Sequence, residues 1–393
     1  MGSARRVFCL VIDSLGVGAL PDAASFGDTG THTLDHLVEA SGGLDAPHLG
    51  ALGLGAIEGV KSLPPKSPPT GAFGRMAEVS PGKDTPTGHW EMMGCPLDEA
   101  FPVFPEGFDQ GLLGRIAEAA KIPGWLANHA ASGTEVIERY GAEHQASGKP
   151  ILYTSGDSVF QIAAHTEHFG LERLYSVCEV AREMLNEINV GRVIARPFEG
   201  EAGSLHRTYD RRDWSVPPPR TTSLDRLLEA GVEVVAVGKI EDLFSGRGIS
   251  RAIHTEGNAH GMQVTLDLAR DLDAGFVFVN LVDFDSLYGH RRDPHGYRGA
   301  LESFDRELGQ LLGALRPNDL VFLTADHGND PTFTKGTDHT REYVPILMTG
   351  PGVAGGIDLG TRRSFSDLGA TIEEAFGLTP APPGKSFLQE GLK

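Results

Sequence analysis

Five short apolar runs recur along the chain, each rich in Val, Ile, Leu or Phe. They are VFCLVI (7–12), VEVVAV (232–237), FVFVNLV (276–282), LVFLTA (320–325) and VPILMT (344–349). Nearly continuous rather than alternating hydrophobicity is typical of a strand that is buried on both faces. The five runs therefore predict the strands of a buried sheet.

Amphipathic segments separate the apolar runs in the second half of the chain. Apolar residues at three- and four-residue spacing predict helices at 223–230, 258–272 and 296–315. Strands that alternate with helices favour an α/β fold, with a mainly parallel sheet and helices on both faces.

The middle of the chain has a different organisation. Its pattern predicts helices at 108–121, 134–146 and 171–188, and strands ILYT (151–154) and RVIARPF (192–198). Prolines mark its start, and the triplet at 217–219 is a stiff linker at its end. We predict a cap domain, 101–219, inserted into a discontinuous core domain formed by 1–100 and 220–393. Two consecutive domains are the alternative.

Composition narrows the class of partner and the compartment. The 393 residues carry 53 acidic and 34 basic side chains, a formal net charge of −19. This excess argues against a nucleic acid or an anionic membrane as partner, because both need a basic surface. Three widely separated cysteines fit a reducing compartment, and no run approaches the ~18 apolar residues of a membrane span. We expect a cytoplasmic protein.

Acidic residues and histidines follow three of the predicted strands. The candidates there are Asp13, Asp285, His290, Asp326 and His327, and His339 follows in the glycine-containing loop GNDPTFTKGTDH. Ligands bind outside the carboxyl ends of parallel strands, so we expect these side chains to converge. A single Asp after a strand is often only a helix N-cap, but joint placement at successive strand ends favours a metal site.

The donor types indicate which metals this site would hold. Clustered carboxylates are unfavourable without a cation. Oxygen and imidazole donors without thiolates suit Mn²⁺, Zn²⁺ or Fe. Six ligands are enough for two ions, an arrangement that supports in-line displacement at phosphorus.

The segment GKDTPTGHWEMMG (82–94) is a glycine-rich loop with two threonines. Beside a dinuclear site, the hydroxyl of Thr85 or Thr87 could act as a nucleophile. The alternative is that either threonine caps a helix beginning near His89. On the loop alone we favour the capping role.

Several long motifs, taken together, resemble one enzyme family. They are VIDSLGVGALPDA with Asp13, KDTPTGHWEMMG, VNLVDFDSLYGHRRD, ADHGNDP and GTDHTREYVP. Their sequences and order closely resemble bacterial phosphopentomutases, which belong to the alkaline phosphatase superfamily. The resemblance covers nearly the whole chain, including YTSGDSVFQIAAH (153–165). It implies an alkaline-phosphatase-like core with an inserted α/β cap and two Mn²⁺ ions.

The resemblance also implies a role for each candidate residue. By motif position it assigns one ion to Asp13, Asp326 and His327, and the other to Asp285, His290 and His339. It makes Thr85 the residue that carries the transferred phosphoryl group, which reverses our preference for a capping role.

The implied reaction interconverts α-D-ribose 1-phosphate and ribose 5-phosphate, and likewise the 2-deoxyribose pair. It proceeds through phosphothreonine and a 1,5-bisphosphate intermediate. A sugar bisphosphate such as ribose 1,5-bisphosphate or glucose 1,6-bisphosphate phosphorylates the threonine initially. The reaction links nucleoside phosphorolysis to central sugar metabolism.

The phosphate that is not transferred also needs cations. The candidates are Arg192, Arg196, Arg207 and Arg211 in the predicted cap and Lys239 in the core, and Ser155 and Asp157 could bind sugar hydroxyls. Arginine matches phosphate bidentately. A solvated, salt-bridged face and a turn held by its own side chains are the structural alternatives.

Three other functions remain open from the residues. One is a metal-dependent phosphatase or phosphodiesterase on the same core. Another is a relative of cofactor-independent phosphoglycerate mutase, which would use a serine nucleophile. The third is an anion-binding or structural metal protein without turnover. We expect small pentose phosphates as ligands and, because no interface pattern is visible, a monomer.

Overall fold

The protein forms two compact units. The computed structural model describes residues 5–65, 68–155, 158–201 and 203–392. Met1–Glu99 and Pro218–Lys393 form the first unit, and Ala100–Pro217 form the second. No helix in these described ranges is both long and apolar enough to span a bilayer.

Strands and helices are numbered along the described part of the chain. The strands are β1 (Arg6–Ile12), β2 (Ala72–Met76), β3 (Leu126–Ala130), β4 (Ile151–Thr154), β5 (Val159–His165), β6 (Arg192–Glu199), β7 (His206–Arg207), β8 (Arg212–Ser215), β9 (Val234–Val237), β10 (Arg251–Ile253), β11 (Gly275–Leu281), β12 (Asp319–Thr324), β13 (Val344–Thr349) and β14 (Ile357–Arg362). The α-helices are α1 (Thr33–Ser41), α2 (Pro47–Leu52), α3 (Thr85–Met92), α4 (Gln110–Ala119), α5 (Gly133–Ser147), α6 (Leu171–Leu185), α7 (Ser223–Glu229), α8 (Ile240–Phe244), α9 (Asn258–Asp271), α10 (Pro294–Gly313), α11 (Ser366–Ala375) and α12 (Leu388–Gly391).

An eight-stranded sheet forms the centre of the first unit, in the order β10-β9-β11-β1-β12-β13-β2-β14. Strand β13 alone runs against its neighbours in this sheet, because it pairs antiparallel with both β12 and β2. The five predicted strands are present, and the mainly parallel α/β architecture is confirmed. Every residue of β1, β11 and β12 is buried, which explains their nearly continuous hydrophobicity.

The register of the central strands determines where the site forms. Ile12 lies opposite Leu281, and Val11 lies opposite both Asn280 and Thr324. Strands β11, β1 and β12 therefore end level with one another at the same edge of the sheet. The residues that follow them must emerge together at that edge.

Helices around this sheet form two contact groups. In one group, α10 packs on α1, α2 and α9. In the other, α11 packs on α3 and α7, and α3 also packs on α8. The amphipathic segments predicted at 223–230, 258–272 and 296–315 form α7, α9 and α10.

The second unit has its own sheet, ordered β3-β4-β5-β6-β7, with β8 also paired to β6. Two apolar clusters lie on its two sides. One contains Leu113 of α4 and Leu174 of α6, and the other contains Ile137 of α5. The predicted segments 108–121, 134–146 and 171–188 correspond to α4, α5 and α6.

Candidate active site

The six candidate ligands converge at the shared edge of β11, β1 and β12. They form two groups, Asp13 with Asp326 and His327, and Asp285 with His290 and His339. Within each group, one ligand atom from each residue lies within 4.8 Å of the others. The imidazoles of His327 and His339 stack with 3.8 Å between ring centroids, so the two groups adjoin.

Backbone carbonyls orient the three histidines. In each, Nδ1 lies within hydrogen-bond distance of a carbonyl oxygen: Gly328 for His327 at 3.1 Å, Thr337 for His290 at 2.5 Å and Lys83 for His339 at 2.9 Å. A carbonyl only accepts, so Nδ1 must carry the proton. The other nitrogen, Nε2, then presents its lone pair to the cluster, as metal-binding histidines require.

Each carboxylate of the cluster is held by one nitrogen donor through a single oxygen. The donors are Asn280 Nδ2 to Asp13 Oδ2 at 2.8 Å, Ser14 N to Asp326 Oδ1 at 3.1 Å and Asn329 Nδ2 to Asp285 Oδ1 at 2.7 Å. These hydrogen bonds orient the carboxylates, and each of them uses only one of the two carboxylate oxygens.

The electrostatics of the buried carboxylates fit divalent cations. Asp13 Oδ1 and Asp326 Oδ2 are buried and accept no hydrogen bond from the described residues. Burial raises the pKa of Asp13 well above its usual value, and the charges of Asp326 and Asp285 raise it further. Such a cluster is costly without a cation, and its oxygen and imidazole donors suit a divalent transition metal in each group.

The protonation of His327 and Asp285 is compatible with metal binding. Burial lowers the pKa of His327 to about 4, so its imidazole is neutral near pH 7. Burial opposes ionisation of Asp285, but the neighbouring imidazoles of His339 and His290 outweigh it and hold the pKa of that carboxyl well below its usual value. His327 is therefore a neutral imidazole and Asp285 an ionised carboxylate, the forms in which these groups bind metals, whereas, despite burial, the Asp285 carboxylate raises the pKa of His290.

Thr85 is the first residue of α3, and its side chain faces the cluster. Its Oγ1 lies 3.2 Å from Nε2 of His327. The helix cap is Asp84, whose carboxylate accepts hydrogen bonds from the backbone N–H and the Oγ1 of Thr87. The expectation from the loop alone was therefore wrong: neither threonine is the cap, and the helix begins at Thr85 rather than near His89.

Gly88 and His89 allow α3 to lie directly on the end of β12. A Cβ at Gly88 would lie 2.1 Å from the carbonyl oxygen of Asp326, so a larger residue would push the helix away. The buried His89 places Nδ1 2.9 Å from the Thr85 carbonyl oxygen and 3.3 Å from Oδ2 of Asp326. We did not predict a role for His89, which contacts both the threonine and a candidate ligand.

The other end of α3 is fixed by the buried carboxylate of Glu91. It accepts five hydrogen bonds, from the backbone N–H groups of Val79, Ser80 and Phe365 and the hydroxyls of Ser80 and Ser364. These donors come from segments on either side of the helix in sequence. Glu91 therefore holds the helix that carries Thr85 against the rest of the core.

We expect Glu91→Gln to destabilise the fold by about 2–4 kcal/mol, because the amide NH₂ would face donors and leave some of them unsatisfied. Chemical denaturation of the variant measures this change in the free energy of unfolding. Glu374→Gln, on the more exposed side of α11, is the control and should change it by less than about 0.5 kcal/mol. Equal stability of Glu91→Gln and the wild type would contradict the anchoring role.

The arginines predicted in the cap lie close together in the second unit. Arg207 Nη2 lies 3.3 Å from the Tyr153 hydroxyl, and Arg196 donates to Gln161 Oε1 at 3.1 Å. Arg211 pairs with Asp213 at 2.6 Å, and Arg192 lies 3.8 Å from the same carboxylate. Burial, together with the charges of Arg211 and Arg207, lowers the pKa of Arg196 to about 10.

The remaining predicted substrate contacts are distributed between the units. Ser155 follows β4 in the second unit and is partly buried. Lys239 lies in the first unit, immediately before α8. Asp157 lies outside the described residues.

Comparison with known proteins agrees with this fold. A family model described as the Metalloenzyme superfamily matches residues 5–380. The PH0037 protein of Pyrococcus horikoshii aligns over 95% of this chain and 98% of its own, with a TM-score of 0.50 and 16% identity. A Leishmania mexicana phosphoglycerate mutase aligns over 98% and 97%, with a TM-score of 0.50 and 13% identity. At such identities the likeness shows the fold alone.

The class is therefore that of the Metalloenzyme superfamily, with a mainly parallel α/β core. Closer relatives define the family within it. A phosphopentomutase of Anaeromyxobacter dehalogenans is 56% identical over 386 residues, 98% of this chain and 99% of its own. That of Symbiobacterium thermophilum is 50% identical over 392 residues, 99% of each chain. The chain belongs to the phosphopentomutase family and is an isomerase that acts on small sugar phosphates.

Proposed function

We propose that the enzyme interconverts α-D-ribose 1-phosphate and ribose 5-phosphate, and the 2-deoxyribose pair, through phosphorylated Thr85 and a 1,5-bisphosphate. The observation that supports this most is the Thr85 hydroxyl, 3.2 Å from His327 in a cluster of six metal-ligand side chains. In a hydrolase the acceptor is water, whereas in a mutase the phosphoryl group must return to the sugar.

The two groups would each hold one Mn²⁺, with Asp13, Asp326 and His327 on one ion and Asp285, His290 and His339 on the other. Two such cations, when bound, supply the positive charge that stabilises the oxygens of a transferring phosphoryl group. Three carboxylates carry three negative charges, so a pair of divalent ions leaves the site slightly positive. That sign suits a dianionic phosphoryl group.

In the proposed cycle, phosphorylated Thr85 donates its phosphoryl group to the free hydroxyl of the sugar monophosphate. The P–O bond to threonine breaks, the P–O bond to the sugar forms, and the proton lost by the sugar hydroxyl balances that gained by Thr85. The second half reverses these changes with the other phosphate. Asp84 and Glu91 hold both ends of α3, so Thr85 keeps one position in both halves. A sugar bisphosphate would supply the first phosphoryl group.

We further propose that Ala100–Pro217 acts as the inserted cap and that its arginines bind the phosphate that is not being transferred. Arg196, Arg207, Arg211 and Arg192 each carry a positive charge, and Asp213 lies 2.6 Å from Arg211 and 3.8 Å from Arg192. Arg196 and Arg192 are partly buried and Arg207 and Arg211 are exposed, and like charges that lie together favour a bound dianion. Lys239 of the first unit, Ser155 and Asp157 would complete the contacts to the substrate.

Gly133 offers a test of this cluster. A Cβ there would lie 1.5 Å from Arg207 Nη2 and 2.4 Å from the Tyr153 hydroxyl, so Gly133→Ala must displace both groups. Gly133 is the first residue of α5, where alanine is otherwise the better helix former by up to ~1 kcal/mol. We expect kcat/KM for ribose 5-phosphate to fall about tenfold, measured by steady-state kinetics, and thermal unfolding establishes that the variant is folded.

Gly114→Ala in α4 is the matched control, because nothing lies within 4 Å of the Cβ it would add. It should leave both kinetic constants unchanged. Unaltered kinetics in Gly133→Ala would show that the position of Arg207 does not matter for substrate binding.

The proposed reaction is tested by following ribose 1-phosphate and ribose 5-phosphate in the presence of Mn²⁺, together with inorganic phosphate. We expect isomer interconversion without net phosphate release. Stoichiometric release of phosphate would support a phosphatase instead.

We also propose a monomer in a reducing, cytoplasmic compartment, since Cys9, Cys95 and Cys178 are all buried free thiols.

A further inference from the structure

Arg292 lies two residues after His290 and joins the backbone segments around one of the two ligand groups. Its guanidinium donates to the carbonyl oxygens of Gly289 at 3.1 Å, Asp330 at 2.8 Å, Gly336 at 2.6 Å and Asp338 at 3.1 Å. Gly289 immediately precedes His290, and Asp338 immediately precedes His339. One side chain therefore connects the loops that present both histidines of this group.

The same guanidinium also acts on the third ligand, through Asn329. Arg292 Nη1 donates to Asn329 Oδ1 at 2.5 Å, and Asn329 Nδ2 donates to Asp285 Oδ1 at 2.7 Å. Because a guanidinium only donates, it holds the amide oxygen on its own side and directs the NH₂ group toward the carboxylate. Asn329 is fully buried, so water does not replace these hydrogen-bond partners of its amide.

The backbone of Arg292 is adapted to this position. Its φ of +54° lies in the left-handed region, which is uncommon for a residue with a long side chain. Among the described residues, its hydrogen-bond acceptors are neutral carbonyl and amide oxygens rather than a carboxylate. A surface ion pair would require neither a left-handed backbone nor a set of neutral acceptors.

The other ligand group is oriented by different residues. Asn280, the backbone N–H of Ser14 and the carbonyl oxygen of Gly328 hold Asp13, Asp326 and His327. Within the described part of the chain, Arg292 donates hydrogen bonds to none of these three residues. A change at Arg292 should therefore affect one group more than the other.

We propose that Arg292 is the positioning residue for the Asp285–His290–His339 group and that it sets the affinity of that group alone for its metal ion. The proposal rests on the proposed two-ion function. Residues that orient metal ligands typically change metal affinity 10–100-fold when replaced.

The test is a Mn²⁺ titration of the metal-free full-length protein, with free Mn²⁺ measured by electron paramagnetic resonance. We compare the wild type with Arg292→Gln and with Arg292→Lys, which keeps the charge but lacks the planar fork. Arg291→Gln, at the exposed neighbouring position, is the control. Thermal unfolding without metal establishes whether each variant is folded. If Arg292→Gln is not folded, the comparison is made with Arg292→Lys.

We expect two ions bound by the wild type and by Arg291→Gln. Both Arg292 variants should bind one ion with wild-type affinity and the other about 10–100-fold more weakly. Two ions bound by the wild type and unchanged binding by the variants would overturn this inference alone, as would equal weakening of both ions. Fewer than two ions bound by the wild type would overturn the proposed two-ion function as well.

Discussion

Thr85→Ala is expected to reduce turnover by roughly 10⁴-fold or more, because it removes the only hydroxyl that we place in the phosphoryl-transfer step. The fold should be retained, since Asp84 supplies the cap of α3 through the backbone N–H of Thr87. Alanine is also a good helix former at this position. Steady-state interconversion of ribose 1-phosphate and ribose 5-phosphate measures the loss, and a Mn²⁺ titration should find the ligand groups intact.

Thr87→Val is the matched control, because it removes a hydroxyl two residues away and keeps the branched shape. It loses the 2.7 Å hydrogen bond from Thr87 Oγ1 to Asp84, which stabilises the fold by about 1 kcal/mol. Its turnover should stay within a few-fold of the wild type. If Thr85→Ala kept comparable turnover, Thr85 would not be the phosphoryl carrier.

Asp13→Asn is expected to have opposite effects on stability and activity. In the metal-free protein it removes one of three mutually repelling buried carboxylates, so the free energy of unfolding should rise by about 1–3 kcal/mol. With Mn²⁺ present, the variant lacks an anionic ligand, and turnover should fall by on the order of 10²-fold or more. Urea denaturation with and without a chelator, together with steady-state kinetics, measures both effects.

The stability gain should depend on pH with a defined sign. The pKa of Asp13 is raised in the folded protein by burial and by the nearby Asp326 and Asp285, so folding favours the protonated carboxyl. The metal-free wild type therefore loses stability as the pH rises through that raised pKa, whereas Asp13→Asn does not. The difference between them should be largest at neutral and alkaline pH and should vanish in acid.

Asp319→Asn provides a contrast at another buried aspartate. Asp319 pairs with Arg6, whose Nε lies 3.0 Å from its Oδ1. Removing this charge leaves a buried guanidinium unpaired, so the variant should lose about 3–5 kcal/mol with or without Mn²⁺. If Asp13→Asn also destabilised the metal-free protein, the three carboxylates would not repel one another as we describe.

Most of the site ligands could be predicted because they follow an apolar run in the chain. An apolar run predicts a buried strand, and Asp13 and Asp326 come directly after two such runs. Parallel pairing of β1 with β12 then brings these residues together across the sequence. The individual assignments to two ions, and the choice of Thr85 over Thr87, came from the family resemblance rather than from the residues alone.

The residues that orient the ligands carry no comparable local signal. In the sequence, Asn280 is a single polar residue in the run FVFVNLV. Only its register opposite Val11 places it beside Asp13. Arg292 and Asn329 meet through loops 37 positions apart. Their roles depend on contacts between distant segments, which a single sequence does not encode as a period or a spacing.

Strand direction and some strands were also missed, for physical reasons. VPILMT predicts β13 correctly as a buried strand, but continuous hydrophobicity is the same for parallel and antiparallel neighbours. β2 includes the partly exposed Arg75, and β5 buries Gln161 and His165, so neither shows a clean apolar run. Only the pairing of β2 and β5 with their neighbouring strands identifies them as strands.

Mass spectrometry of the peptide containing Thr85, taken from enzyme that is turning over ribose 5-phosphate with Mn²⁺ and a trace of glucose 1,6-bisphosphate, tests the central claim most directly. The proposed cycle requires a single phosphoryl group on Thr85, present in the wild type and absent in Thr85→Ala. Fully active enzyme in which Thr85 is unmodified would contradict the account.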